Sequence, residues 1–345
     1  MFKLIPRFGG MLCMLLFIQP AFSQSDTAAI GPLLTKNQKA FGRAVALVWK
    51  DGKIIFQRDA GVEFNGKVQA PIAAASQWLT AATVMSFVDE GKLKLDDPVG
   101  KYIPVFNSYM KSYLTIRQCL MHSTGFEREK GLANKLSFGR KYETLEAQVN
   151  ALAAKEISTN AGEEYFFGNY GPAIAARVIE IVGKKPFERL VQERITRPCK
   201  MRATNFNNND GKSPNPGFGA VSTANDYINF LVMLLNGGTF EGKKVLSAEA
   251  IKELQRAQLG NTPVKYNPEQ LAGYDIAMGN YVQERDAAGN AQTICSPSLG
   301  GTWPYVDFCR KYAAIIFVED AKGEVKRDVA VQFKAIIDAW LGNCK

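Results

Sequence analysis

Ala44-Val45-Ala46-Leu47-Val48-Trp49-Lys50-Asp51-Gly52-Lys53-Ile54-Ile55-Phe56-Gln57 decides the fold. Residues 44–49 are apolar and rich in β-branched side chains. Asp51-Gly52 is a turn pair, and residues 53–57 resume the strand pattern, so the stretch reads as a hairpin. A second strand-rich region spans residues 278–320 and ends in the apolar run Tyr312 to Val318. Between the two lie helical patterns. Residues 73–90 place Leu79, Ala82, Val84, Phe87 and Val88 at helical spacing, with Gly91 as the stop. Further helices are expected at Thr115–Met121, 143–156, Ala173–Val182 (ended by Gly183), Pro186–Arg194, Asn225–Leu235 and Ser247–Gln255. A last amphipathic helix runs from about Asp328 to Leu341, and residues 205–219 read as an Asn/Gly/Pro-rich loop. Strands at both ends with helices between them predict an α/β fold of the α+β sandwich type. One antiparallel sheet, built from N- and C-terminal strands and flanked by helices, carries an inserted helical region. The sheet region is expected at about 40–72 and 220–345, and the helical region at about 73–219.

The chain has 345 residues, 46% hydrophobic and 22% charged, which is a folded rather than a disordered composition. It has one histidine, His122, so two- and three-histidine zinc sites are excluded. Residues 1–23 combine Lys3 and Arg7, the apolar run Met11–Phe17 and the small cleavage-type residues Ala21 to Ser23. They read as a signal peptide cut near Ser23, giving a secreted or periplasmic domain of residues 24–345. The apolar run is too short to span a bilayer and no later segment approaches twenty apolar residues, so no membrane span is expected. Cleavage removes two positive charges and no negative ones, so a formal charge of +9 becomes +7. No basic run with interleaved aromatics occurs, which argues against nucleic acid as a partner. Five cysteines remain, Cys119, Cys199, Cys295, Cys309 and Cys344, so at least one thiol is free. Cys295 and Cys309 flank a Gly/Pro-rich turn symmetrically; a disulfide across it and two small buried residues are both compatible with the sequence, and the pairing among the five stays open.

A search for nucleophiles is short. No G-x-S-x-G elbow occurs. His122 adjoins Ser123, but neighbours in a tight turn point in different directions, so they do not form a nucleophile–base pair. The single Ser-x-x-Lys, Ser108 to Lys111, follows Pro104 in what reads as a loop, whereas the chemistry needs both residues on one helix face. Asp96-Asp97 precedes Pro98 and reads as a turn that caps backbone amides. No metal-ligand cluster stands out, and no cofactor is called for.

Several stretches together resemble the serine β-lactamase / penicillin-binding-protein family, in particular its class C β-lactamase-like and esterase-like branch. They are Trp78-Leu79-Thr80-Ala81-Ala82, Val88 to Leu93, Leu95-Asp96-Asp97-Pro98-Val99, Lys101 to Pro104, Leu114 to Gly125, Gly162 to Asn169, Arg197 to Met201, Ser222 to Asp226 and Asn236-Gly237-Gly238. The ordered series runs from about residue 40 to 320. The resemblance implies a β-lactamase/transpeptidase-like fold and an acyl-enzyme mechanism. A serine of Ser-x-x-Lys attacks, the lysine and the tyrosine of Tyr-x-Asn move protons, and a Lys-Thr-Gly or His-x-Gly motif lines the pocket.

Each of these positions departs from the family pattern here. The register puts the nucleophile at Ala74 and the lysine at Gln77. Ser76, two residues on, points elsewhere around the helix. The tyrosine position is Phe167, while Asn169 is retained. The third motif falls on Ser296-Pro297-Ser298 and lacks its histidine or lysine. No catalytic set is therefore intact. The expectation is a catalytically silent protein that binds a small acyl or peptide ligand, such as a peptidoglycan-derived fragment, through Gln77, Phe167, Asn169, Ser296, Ser298, Trp303 and Tyr305. The alternatives are a cleft turned to a non-covalent cyclisation or isomerisation, and a residual serine hydrolase.

Overall fold

The computed structural model describes residues 28–126, 142–206, 212–319 and 327–344. The expected signal peptide lies outside these residues. Seven strands form one sheet: β1 (Ala44–Lys50), β2 (Lys53–Ala60), β3 (Asp275–Ala277), β4 (Asn280–Arg285), β5 (Ala291–Cys295), β6 (Trp303–Asp307) and β7 (Tyr312–Val318), in the spatial order β2-β1-β7-β6-β5-β4-β3. Every pairing is antiparallel. The hairpin β1–β2 thus joins the C-terminal strands through β1–β7, as the sequence pattern requires. The short edge strand β3 is an addition to that expectation.

Both faces of the sheet are covered, and β6 and β7 are buried along their whole length. The named helices are α1 (Ile30–Lys36), α2 (Ser76–Asp89), α3 (Tyr170–Gly183), α4 (Ala224–Leu235) and α5 (Arg327–Leu341). Helix α4 packs on β7, β6 and β1, and α5 lies across the opposite face beside α1. Helix α2 is buried on almost every side from Ser76 to Phe87, as a helix apolar all round should be. It presents its first turn to the cleft. Gly91, at φ +69°, supplies the expected left-handed stop. Gly183 does not do the same for α3; Lys184 takes the left-handed position at φ +52°. Among the described residues, no helix is long and apolar enough to cross a membrane.

Of the two readings of Cys295 and Cys309, the bridge between them is not the one formed. Cys309 bonds Cys344 across a Cα–Cα distance of 5.4 Å, and Cys295 is a free, buried thiol. The reason is register. Cys295 pairs with Tyr305 and Thr293 with Asp307, so Cys309 lies level with residue 291. That is four residues, about 13 Å, along the strand from Cys295, beyond the reach of a disulfide. The bridge that does form ties the β6–β7 turn to the end of α5.

Candidate functional site

The first turn of α2 carries the positions singled out in the sequence. Ala74 sits in a single 3₁₀ turn, Ala73–Ala75, just ahead of α2, with Ala73 at φ +42°. Its methyl group is buried. Ser76 faces elsewhere, as expected: its hydroxyl oxygen accepts from the Ala220 amide at 3.0 Å. Thr80 donates to the Pro216 carbonyl at 2.7 Å. These two bonds seat the 213–220 segment on α2.

Gln77 is buried and bonded at both ends of its amide. Nε2 donates to the Gly168 carbonyl at 3.1 Å, and Oε1 lies 2.9 Å from His122 Nε2. The tautomer follows from these contacts. A carbonyl only accepts, so the Gln77 NH₂ must face Gly168 and its oxygen must face the imidazole. His122 Nε2 therefore carries the proton, and Nδ1 is a bare acceptor. Burial pushes the His122 pKa down to about 4, so the ring is neutral at physiological pH.

From the sequence, His122 is rejected only as the base of a pair with Ser123. The structure instead brings it into the site, at the end of the helix Ile116–Leu120 with a left-handed backbone at φ +54°. Thr115 and Gln118 form a capping box that fixes the start of that helix. Helix α3 closes against it tightly: a Cβ on Gly171 would run into the Cys119 carbonyl. Nothing in local spacing links positions 77 and 122, so only the fold reveals the pair.

Phe167 occupies the tyrosine position as a buried ring. Its centroid lies 5.2 Å from His122 and 6.0 Å from Phe218, and its amide donates to the Tyr266 carbonyl. Asn169 stands at the start of α3 without capping it. Together with His122, Thr124 and the rings of Phe126, Phe166 and Tyr170, it lines a cavity of about 10 Å³, which is room for about one water at most.

The third motif is committed to structure. Ser296 donates to the Gly279 carbonyl at 2.9 Å, and Gly279 (φ +71°) abuts the Gln77 carbonyl so closely that a Cβ would clash. The Ser298 hydroxyl oxygen accepts from the Gly300 and Thr302 amides. Trp303 and Tyr305 are not brought to the cleft. The Tyr305 hydroxyl donates to the Ala330 carbonyl of α5, its ring packs on Phe333, and Trp303 shares its face of β6 by the two-residue alternation of a strand. Of the residues singled out in the sequence, the described structure thus brings Asn169 to the cavity, with Gln77 and Phe167 behind it.

Ser108 and Lys111 do not form a nucleophile–lysine pair. Ser108 ends the one-turn helix Val105–Ser108 and Met110 takes φ +55°, so no helix face joins the two. Lys111 is buried and donates to the Ala153 carbonyl at 2.8 Å. Asp97 behaves as a turn residue. Burial would raise its carboxyl, but bonds from Tyr102, the Lys94 amide and Lys101 hold it down to about 2. Glu284, Asp307 and Asp338 converge within 4.8 Å under α5. The Lys334 ammonium stands among them, 2.7, 3.7 and 2.6 Å away, and takes the place a cation would need.

The arrangement at α2 can hydrogen-bond neutral groups, but it pairs no nucleophile with a base. A family model described as Beta-lactamase matches residues 29–339. Protein Rv1367c of Mycobacterium tuberculosis is 24% identical over 274 residues, covering 63% of this chain and 68% of its own length. Protein flp of Staphylococcus aureus is 25% identical over 186 residues, 51% of this chain, and the match spans 37% of that protein. Two solved structures share the fold. A beta-lactamase-like chain from Bacteroides dorei has a TM-score of 0.80 at 24% identity, covering 90% of this chain and 99% of its own. A penicillin-binding-protein homologue from Caulobacter crescentus has a TM-score of 0.75 at 16% identity, covering 91% and 97%. At these identities the structures speak to fold alone.

Proposed function

The chain belongs to the beta-lactamase family, and from that premise we propose that it is an exported member without acyl-enzyme chemistry, which holds a small acyl or peptide ligand in the former active-site cleft. The observation that carries this reading is Gln77. In the family's register it stands where the proton-moving lysine belongs, three residues after Ala74. It is a neutral amide whose donor and acceptor are both used, on Gly168 and His122. A side chain held in this way neither takes a proton from a hydroxyl nor stabilises an oxyanion as a cation does. Phe167 lacks the phenol that would share the task. Losing a nucleophile or its base alone costs many orders of magnitude in rate.

Export is supported by the Cys309–Cys344 disulfide, which suits an oxidising compartment. Ligand binding is supported by Asn169, a buried amide that lines the cavity. A peptidoglycan-derived peptide is the candidate occupant. The test is to incubate the protein with a fluorescent penicillin and a fluorophosphonate, read intact mass, and then follow thermal unfolding with soluble muropeptides. No adduct and a muropeptide-dependent rise in Tm are expected. An adduct on any serine would overturn the silent reading, and an unchanged Tm would remove the ligand.

A further inference from the structure

A groove of about 750 Å³ opens between the edge strand β3 and the segment 257–267, and it shares no lining residue with the cavity beside α3. That volume falls in the range of about 300–1,000 Å³ typical of small-ligand sites. The short strand Val264–Tyr266 forms one wall, held in place by parallel pairing with Tyr165–Phe166. The Tyr266 ring packs against Phe166, 5.3 Å between centres. Leu259, Val264, Tyr266 and Ile276 give the groove an apolar surface, and Val264 is half exposed. Two polar residues also line it, each with an unmatched atom. The Asn267 NH₂ donates to the Leu271 carbonyl at 3.2 Å, so the amide oxygen is the free end. That oxygen and the Tyr274 hydroxyl are buried with no hydrogen-bond partner among the described residues. Arg327 lies over the Tyr274 ring, 4.3 Å from its centre, and gives an N–H to the Ala272 carbonyl. Buried polar atoms are rarely left unmatched, and two at one groove point to an occupant that supplies their bonds.

We infer that this groove binds a neutral oligosaccharide, at a site apart from the former active-site cleft and independent of the ligand proposed there. The occupant must give a hydrogen bond to Asn267 Oδ1 and give or take one at Tyr274. It must also lay an apolar face on Leu259, Val264 and Tyr266, whose ring is an apolar body with a polar tip. A pyranose meets all of these needs. Each hydroxyl both donates and accepts, and the C–H face of the ring is apolar. Other classes of occupant fit less well. For an anion the cations of the groove are already spent: Arg285 is bonded to Asp275 at 2.6 Å and to the Gly289 carbonyl, and Lys265 stands 3.4 Å from Glu164. An extended peptide would bind by adding a strand to β3, but the Ile276 carbonyl there already accepts from the Gln258 amide at 3.2 Å. A wholly apolar molecule would leave both polar atoms unmatched.

The test is isothermal titration of the protein with cellotriose and with triacetylchitotriose, and competition by N-acetyl-trialanine amide. At least one of the sugars should bind with a Kd of about 1 mM or tighter, and the peptide should not displace it. Val264→Glu puts a charge at a half-exposed position of the groove and leaves the cleft residues alone, so it should abolish sugar binding. Tyr274→Phe removes a hydroxyl that is unmatched in the free protein. It should therefore keep or raise Tm while weakening the sugar about fivefold, the worth of one hydrogen bond. A merely structural hydroxyl would show the opposite pattern. Failure of both sugars to bind, binding that survives Val264→Glu, displacement by the peptide, or undiminished affinity in Tyr274→Phe would each overturn the inference. A Tm lowered by Tyr274→Phe would show the hydroxyl already matched and overturn it as well. None of these results bears on the cleft, whose ligand is read with muropeptides.

Discussion

Under α5 the protein buries full charges, while at the start of α2 it buries none. Lys334, with 3% of its side chain exposed, meets Glu284 and Asp338, and Asp307, fully buried, also takes Arg310 at 3.1 Å. Across the molecule, Ala74, Gln77, His122 and Phe167 are as deeply buried but uncharged, and the polar ones bond to one another. The chain therefore does accept buried ions where each has a partner. The absence of charge at Gln77 and His122 is thus a local property of the start of α2 and its neighbours.

The sharpest way to break this comparison is Lys334→Met. It leaves three carboxylates converging under α5 with, among the described residues, Arg310 to offset them, and should cost about 3–5 kcal/mol in urea unfolding. A loss under about 1 kcal/mol would mean that the ions under α5 are as dispensable as those absent from the cleft.

The next effect concerns pH. His122 has a folded pKa of about 4 against an ordinary 6.5. Its neutral form is favoured in the fold, so this stability is fully present above about pH 6.5 and is lost as pH falls toward 4. The loss approaches ~3 kcal/mol. His122→Gln should flatten the stability profile across that window relative to wild type. Identical profiles would place the imidazole in contact with water.

The smallest effect is expected from Gln77→Met, which keeps the volume but leaves the Gly168 carbonyl and the His122 Nε2–H unmatched. The cost should be about 2 kcal/mol by denaturant unfolding. A neutral result would mean that the Gln77 bridge between Gly168 and His122 contributes nothing to the stability of the fold.

The hairpin at 44–57 and the final strands were legible in the sequence because short β-branched apolar runs and a two-residue turn are local signals. Gln77 and Gly168, the latter beside Phe167, were picked out by motif order and lie within hydrogen-bonding distance of each other. Three things were not legible. The partner of Cys309 depends on hairpin register, which is centred two residues from the apparent midpoint of the turn. The side to which Trp303 and Tyr305 point depends on which face of β6 α5 covers. The place of His122 depends on a contact between residues 45 apart in sequence.

The central proposal is that Ala74, Gln77 and Phe167 leave the cleft without a nucleophile, a lysine and a phenol. The most direct measurement is fluorophosphonate labelling, read by peptide mass, of wild type beside the combined Ala74→Ser, Gln77→Lys, Phe167→Tyr variant. The His122 ring can move its proton to Nδ1 and accept from the restored amine. An unlabelled wild type and a variant labelled at position 74 are the predicted result. A folded variant that stays unlabelled, or a wild type that carries label on any serine, would contradict it.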